Sequence, residues 1–508
     1  MKSPILGSSY VARSVNAADS RMVNLFPEIV AEGGKEPAFL QRAPGLRLLS
    51  TVGVGPIRGM RVVGQYAYIV SGSKLYQCSS GFSTVIEIGA VSNDGPVSMA
   101  DDGVHLFLAC NGPSFVYNVN TGGYGQITDP DFPGALTVSY LNGYFVFIEP
   151  NSQKVWVTSL LDPTSIDPLD FASAEGDPDN LVSSIVDHSE VWLFGTNSIE
   201  VWYNSGAADF PLQRIQGAFN EIGCAATFSV AKLDNGLFWL GSDTRGKGIV
   251  YRANGYTGQR ISTHAVEWQI QQYENISDAV AYTYQMDGHA FYVLTFPSAN
   301  ATWVYDVSTG AWHERAGWHN GQQTRQRGHM QMMFDDIVTV GDYQNGNVYA
   351  YDLNLYVDYD RPQRWLRTWR AIPAGQNNLN RTAQHSLQLD CETGVGIQPL
   401  ESYYDAVLLT EASNILTTET NEDLLITYRE LTGADPQVCL RWSDDGGHTW
   451  SREHWRSMGK IGEYAKRVIW RRLGMTQKLR DRVYELSGTD PVKIYIMGAE
   501  LMLSPTRA

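Results

Sequence analysis

Tyr144-Phe145-Val146-Phe147-Ile148, followed across Glu149-Pro150-Asn151-Ser152-Gln153 by Lys154-Val155-Trp156-Val157, is a pair of short apolar segments around a Pro-Asn-Ser turn. Aromatic and aliphatic side chains alternate along the first segment and Val recurs in both, the pattern of two antiparallel strands and a hairpin connection. The unit recurs upstream as Ala67-Tyr68-Ile69-Val70 with Lys74-Leu75-Tyr76, and as His105-Leu106-Phe107-Leu108 with Phe115-Val116-Tyr117-Asn118. Downstream it returns as Val191-Trp192-Leu193-Phe194 with Ile199-Glu200-Val201-Trp202-Tyr203, and as Leu237-Phe238-Trp239-Leu240 with Gly248-Ile249-Val250-Tyr251. Ala290-Phe291-Tyr292-Val293-Leu294 with Thr302-Trp303-Val304-Tyr305-Asp306, and Ile337-Val338-Thr339-Val340 with Asn347-Val348-Tyr349-Ala350-Tyr351, bring the copies to seven.

The copies follow one another at mostly roughly 40 to 50 residues, the interval of a propeller blade, whose sheet cannot bury both faces alone but does so inside a closed ring. The sequence therefore predicts an all-β chain with a β-propeller of seven blades, or six if one hairpin belongs to a neighbouring domain. Aromatic residues are expected between blades, with Gly, Asn and Asp at the tips and almost no helix. Residues 1–50 show little periodicity and contain Phe26-Pro27, Glu36-Pro37 and Ala43-Pro44-Gly45, which favour an extended arm with turns. The propeller is assigned to residues 51–360. After the polar break Ile372-Pro373-Ala374-Gly375-Gln376-Asn377-Asn378, residues 361–508 read as a second, β-sandwich-like domain. Its clearest strands are Ser386-Leu387-Gln388-Leu389-Asp390, Val438-Cys439-Leu440-Arg441-Trp442 and Lys493-Ile494-Tyr495-Ile496-Met497.

With 508 residues, 43% hydrophobic, 11% aromatic and 18% charged, the chain has the composition of a folded protein with a sizeable interior. A net charge of -16 argues against a surface that binds nucleic acid throughout, so any DNA contact has to be local. Cys78, Cys110, Cys224, Cys391 and Cys439 lie far apart without a C-x-x-C pair, and read as reduced thiols of a protein assembled in cytoplasm. Neither a signal peptide nor a membrane span is expected, because no apolar run approaches roughly 20 residues.

Ser443-Asp444-Asp445-Gly446-Gly447-His448-Thr449-Trp450 matches the Asp-box pattern S-x-D-x-G-x-T-W, carried by Ser443, Asp445, Gly447, Thr449 and Trp450. Its chemistry is that of a turn: the carboxylate accepts backbone N–H groups, Gly permits positive φ, and the Trp caps the hairpin. Several such boxes occur in sialidases and other glycosidases, but here one copy lies outside the repeats. Hydrolysis of a glycosidic bond needs two flanking carboxylates or a Tyr nucleophile with a helper. Acidic pairs such as Asp335-Asp336 and Asp444-Asp445 read instead as solvated turn tips. No phosphate-binding loop, dinucleotide fingerprint or metal-ligand spacing is present. His313, His319 and His329 fall in what reads as a long surface loop. No catalytic residue, cofactor site or metal site is expected.

The segment from Arg452 to Arg482 is the exception in an acidic chain. Lys466, Arg467, Arg471, Arg472, Lys478, Arg480 and Arg482 form its candidate interface, facing either DNA phosphates or an acidic partner ring, with a solvated charged face as the plainer reading. Trp455, Trp470 and Tyr484 are interleaved with these cations and supply the aromatic and Arg content that interfaces favour.

The sequence resembles the packaged-DNA stabilisation proteins, or tail hub proteins, of short-tailed bacteriophages. The likeness runs through Val23-Asn24-Leu25-Phe26-Pro27-Glu28 and Phe194-Gly195-Thr196-Asn197-Ser198-Ile199-Glu200-Val201-Trp202-Tyr203. It continues through Arg260-Ile261-Ser262-Thr263-His264-Ala265-Val266-Glu267 to Arg467-Val468-Ile469-Trp470-Arg471-Arg472-Leu473-Gly474. The resemblance implies a non-enzymatic virion tail protein without a cofactor, assembled in the host cytoplasm into a homo-hexameric ring. That ring would dock below the portal and its adaptor ring, carry tailspikes or fibres and a needle or plug, close the DNA exit channel, and make a local channel contact with viral double-stranded DNA. The alternative is a tail-associated propeller that binds or hydrolyses glycans.

Overall fold

The computed structural model describes the chain apart from residues 15–18, 31, 93–94, 208–209, 245, 374–380, 399–401, 408–424, 431–432, 477–481 and 507–508. Tyr144–Ile148 and Lys154–Val157 pair antiparallel, Phe147 opposite Trp156, and Val138–Leu141 and Phe171–Ser173 complete a four-stranded sheet. The alternation along Tyr144–Ile148 has a physical cause. Phe145 and Phe147 point into one core, where Phe145 stacks on Phe107 of the preceding sheet with ring centroids 5.5 Å apart. Val146 and Ile148 point into another, shared with Val191 and Leu193 of the following sheet. Both faces of the strand are thus covered, and the whole run is apolar for that reason.

Among the described residues seven sheets of this pattern succeed one another. They begin at Ile57–Val63, Ser98–Asp101, Val138–Leu141, Leu181–Asp187, Gly223–Cys224, Val280–Met286 and Gly328–Phe334. The last contributes three consecutive strands, and its fourth comes from the N-terminus: Gly45–Thr51 pairs with Asn347–Asp352. Gly328–Phe334 also packs against Ile57–Val63, so the ring closes on itself. At that seam a Cβ on Gly341 would lie 2.4 Å from Ile57 Cγ2. Gly341→Ala is expected to lower the unfolding free energy by about 1 to 3 kcal/mol through overpacking; a thermal melt tests this, and an unchanged midpoint contradicts it.

Residues 1–50, expected as an extended arm, are divided among the sheets of both domains. Lys2–Ser3, Leu25–Ile29 and Ala38–Arg42 join Thr382–Cys391, Val468–Arg471 and Tyr495–Pro505 in one six-stranded sheet. Met22–Val23 bridges Ala311–Glu314 of the sixth blade to Trp365–Arg370, extending that blade through Val483–Gly488, Gln437–Ser443 and His454–Ser457. These two sheets enclose the C-terminal core, built on Trp365, Trp369, Trp470, Tyr484, Leu387 and Leu486. The β-propeller and C-terminal β-sandwich are therefore joined by continuous hydrogen bonding. Two of the three strands expected in the second domain fall within Thr382–Cys391 and Gln437–Ser443, and the third overlaps Tyr495–Pro505 from Tyr495 to Met497, with Lys493 and Ile494 preceding the strand.

One short α-helix, His264–Gln271, occurs among the described residues of this otherwise β-rich chain, and Thr263 caps it by accepting from the Val266 N–H. One expectation is corrected. The three histidines do not share a surface loop. His313 lies fully buried in the strand Ala311–Glu314, His319 ends the strand Ala316–His319, and His329 sits in Gly328–Phe334. Their Gly- and Gln-rich surroundings obscured strands whose inward positions are polar.

Candidate assembly interface

Val468–Arg471 is the terminal strand of the six-stranded sheet, paired on one side with Thr382–Cys391. On its outward face Arg471 lies opposite Ser386, which in turn lies opposite Met502. Arg472 takes φ 59° and donates its N–H to His385 O at 2.8 Å, a turn that buries the next residue, Leu473. Both arginines are exposed and line a shallow recess with His385, Met475 and Met502. Met475 and Met502 are 57% and 63% exposed, so the cations flank an uncovered apolar floor. Arg467 is exposed, and Lys466 extends from the same edge with its ammonium 3.6 Å from Glu463.

Arg482 does not belong to this strip. It is buried, with Nε and Nη2 on the two Asp444 oxygens at 2.6 and 2.7 Å and Nη1 on Leu473 O. Burial opposes its charge, but the Asp444 carboxylate prevails and raises its pKa. A bidentate guanidinium of this kind is a structural clamp. Lys478 and Arg480 lie outside the described residues. Trp470 and Tyr484 are likewise core residues, at 1% and 0% exposure, whereas Trp455 is surface. Sequence reading passed over Ile461 and Tyr464, exposed beside the cations. Their signal is a pair of apolar residues split by Gly462-Glu463, with no alternation to give them a buried face.

Residues 443–450 form a turn closed by side-chain hydrogen bonds. Asp445 Oδ1 accepts the N–H groups of His448 and Thr449, each at 2.9 Å, and Oδ2 accepts the Thr449 hydroxyl at 2.6 Å. Ser443 Oγ donates to Asp445 and accepts the Gly447 N–H. These bonds hold the Asp445 carboxyl far below its ordinary range. Gly446 and Gly447 take φ 81° and 109°. Trp450 faces the Arg441 guanidinium, while Trp442 stacks on His454. Asp445→Ala is expected to speed hydrogen exchange at the His448 and Thr449 amides; unchanged protection of both would contradict the role given to the carboxylate.

One cavity at the centre of the propeller, about 480 Å³, is lined by residues including Thr137, Ser139 and Ser184, with Asp101 as its lone carboxylate. Asp101 pairs with Arg61 at 2.7 Å. The two carboxylates of ordinary glycoside hydrolysis do not converge there. Asp335 and Asp336 occupy the turn before Ile337–Asp342, with φ 51° and 58°, and Asp335 accepts the Gly81 N–H. No three metal-binding side chains converge among the described residues. None of their helices is long and apolar enough to cross a membrane. All five cysteines are free thiols.

A model of the bacteriophage P22 Gp10 β-propeller matches residues 1–356, and a model of the bacteriophage P22 Gp10 β-sandwich matches residues 364–504. The chain belongs to the bacteriophage P22 Gp10 family. It is therefore a virion structural protein of the packaged-DNA stabilisation group. No curated protein matches it in sequence. Among solved structures it is similar to the extracellular domain of a putative one-component system, BT4673 from B. thetaiotaomicron, at 12% identity and TM-score 0.41, covering 76% of this chain and 48% of the other. A chain of the mitotic checkpoint complex is similar at 11% identity and TM-score 0.39, covering 64% and 96%. The N-terminal domain of Nup159 follows at 8% identity and TM-score 0.37, covering 64% and 97%. In this Gp10-family chain the two matched regions meet near residue 360, where Arg361–Pro362 pairs with Val357–Asp358 beside the last blade.

Proposed function

We propose that this Gp10-family chain is the hub of a short phage tail. Copies form a homo-hexameric ring below the portal and its adaptor ring, closing the exit channel over packaged DNA and anchoring tailspikes or fibres and a needle. The observation that carries this reading is the match of both domains, in order and over almost the whole chain, to one packaged-DNA stabilisation family. Its physical support is hydrogen bonding continuous between the domains and an exposed edge that combines cations with apolar side chains. The protein acts by contact and closure in the virion tail, without a cofactor or catalytic residues.

The test uses filled heads assembled in a host lacking this protein. Such heads are expected to lose nuclease-protected DNA and to regain retention and appendages when purified protein is added. Heads that hold their DNA and bind spikes without it would overturn the proposal. Release of reducing sugar from host polysaccharide by the purified protein would favour the glycan-hydrolysing alternative.

A further inference from the structure

The charge of the chain is divided between its ends. From residue 75 to residue 213 it carries 17 Asp and Glu against one cation, Lys154, whereas residues 452–482 carry 10 Lys and Arg against three carboxylates. The two regions lie apart in the fold. The sandwich is joined by hydrogen bonds to the sixth and seventh blades, and the third blade is three places away in either direction round the ring.

On that third blade the loop between Lys154–Val157 and Phe171–Ser173 presents Leu160, Leu161 and Leu169 at 58%, 64% and 78% exposure. Asp162, Asp167 and Asp170 share this loop with them, and exposed Asp131 stands two residues from Asp129, whose carboxylate bonds the loop at Ile166. The loop is preformed. Asp162 accepts the Thr164 N–H, Asp167 accepts the Leu169 N–H, and Asp129 accepts the Ile166 N–H. Leu161 holds φ 60° while donating its N–H to Gly143 O at 2.8 Å. A bulky residue in that conformation is an outlier, and such strain collects where an element is held for use. Apolar side chains fixed in water within a charged rim mark a contact surface, and their rigidity reduces the entropy lost on binding.

We infer that this acidic leucine loop of one copy docks on the basic sandwich edge of the next, against Arg467, Arg471 and the exposed Met475 and Met502. Complementary patches on opposite sides of one chain make a head-to-tail contact, the type that closes into a ring. The inference rests on the self-assembly in the proposed function and supplies its two surfaces. It also gives the basic edge an acidic protein partner in place of DNA.

Two variants test it by sedimentation across concentration and salt. Asp131→Lys with Asp170→Lys leaves the Asp162 and Asp167 turn bonds intact; Arg467→Glu with Arg471→Glu reverses the other patch. Each is expected to raise the concentration for half-assembly at least about tenfold. Mixed together they are expected to assemble again, because each then offers the charge the other needs. In the unmodified protein, carbodiimide is expected to couple Lys466 to a carboxylate of residues 129–170 in a neighbouring copy. An oligomer indifferent to both variants would overturn the assigned surfaces and leave self-assembly standing. A chain monomeric at its highest soluble concentration in low salt would overturn both. Loss of duplex-DNA binding in the Arg variant, with its oligomer intact, would assign the edge to DNA.

Discussion

Replacing Arg42 with Met is expected to lower the unfolding free energy by about 3 to 5 kcal/mol, because several buried backbone carbonyls lose their donor together. The side chain stands where the N-terminal segment, the end of the propeller and the sandwich meet. Its five N–H groups have five acceptors: Gln363 Oε1 from Nε, the Asp490 and Val492 carbonyls from Nη1, and the Tyr356 and Gln363 carbonyls from Nη2. Burial lowers its pKa to about 10, so a proton is still held at neutral pH. Lys in its place has three donors and no planar fork, and Arg42→Lys is expected to recover less than half of the loss. Urea unfolding of both variants checks this. A shift in midpoint confined to Met, with Lys like the unsubstituted protein, would mean that charge alone matters at this junction.

The propeller was legible because each blade repeats one local rule, apolar side chains sent to two cores by a period of two, and that rule is written within a few residues. Phe145 and Val146 announce it without help from distant sequence. The path of residues 1–50 was not legible for the opposite reason. Leu46 finds Tyr351, and Leu40 finds Ile496, across hundreds of residues, and short strands with Pro inside them carry no periodicity. The candidate edge was half legible. Charge density located Lys466 to Arg472, but the same run includes Arg482, whose partner Asp444 lies 38 residues earlier in a motif read for its turn. Sequence shows that a cation is present; only the fold shows whether a carboxylate neutralises it.

Raising the pH from 6.5 to about 9 is expected to destabilise the protein by about 2 to 3 kcal/mol through one residue, His289. Its ring lies between Asp306, which contacts Nδ1 at 2.8 Å, and Glu28, which contacts Nε2 at 2.5 Å, with Phe26 5.0 Å away. Burial disfavours the imidazolium, yet the hydrogen bonds and charges of the two carboxylates outweigh it and lift the pKa to about 9 from an ordinary 6.5. A group whose pKa is raised by folding contributes its full stabilisation below the unfolded value and loses it as pH climbs through the folded one. The loss therefore falls between 6.5 and 9. Asp358, raised to about 6 by burial, titrates mostly below that window, whereas buried thiols such as Cys78, pushed up to about 12 by folding, are free to ionise once unfolded and add a separate loss as the pH nears 9. Exposed His188 moves in the same direction, so His188→Asn serves as the control for a small surface effect. The urea midpoint should fall from pH 6.5 to pH 9 in the unsubstituted protein and in the control, and fall distinctly less in His289→Gln, with the difference already present by pH 8. Since Glu28 belongs to the N-terminal strand Leu25–Ile29 and His289 to the sixth blade, the loosening should begin at their seam, with faster amide exchange in that strand before the rest of the sandwich. A midpoint flat across the window, or the same slope in His289→Gln, would remove His289 from this role.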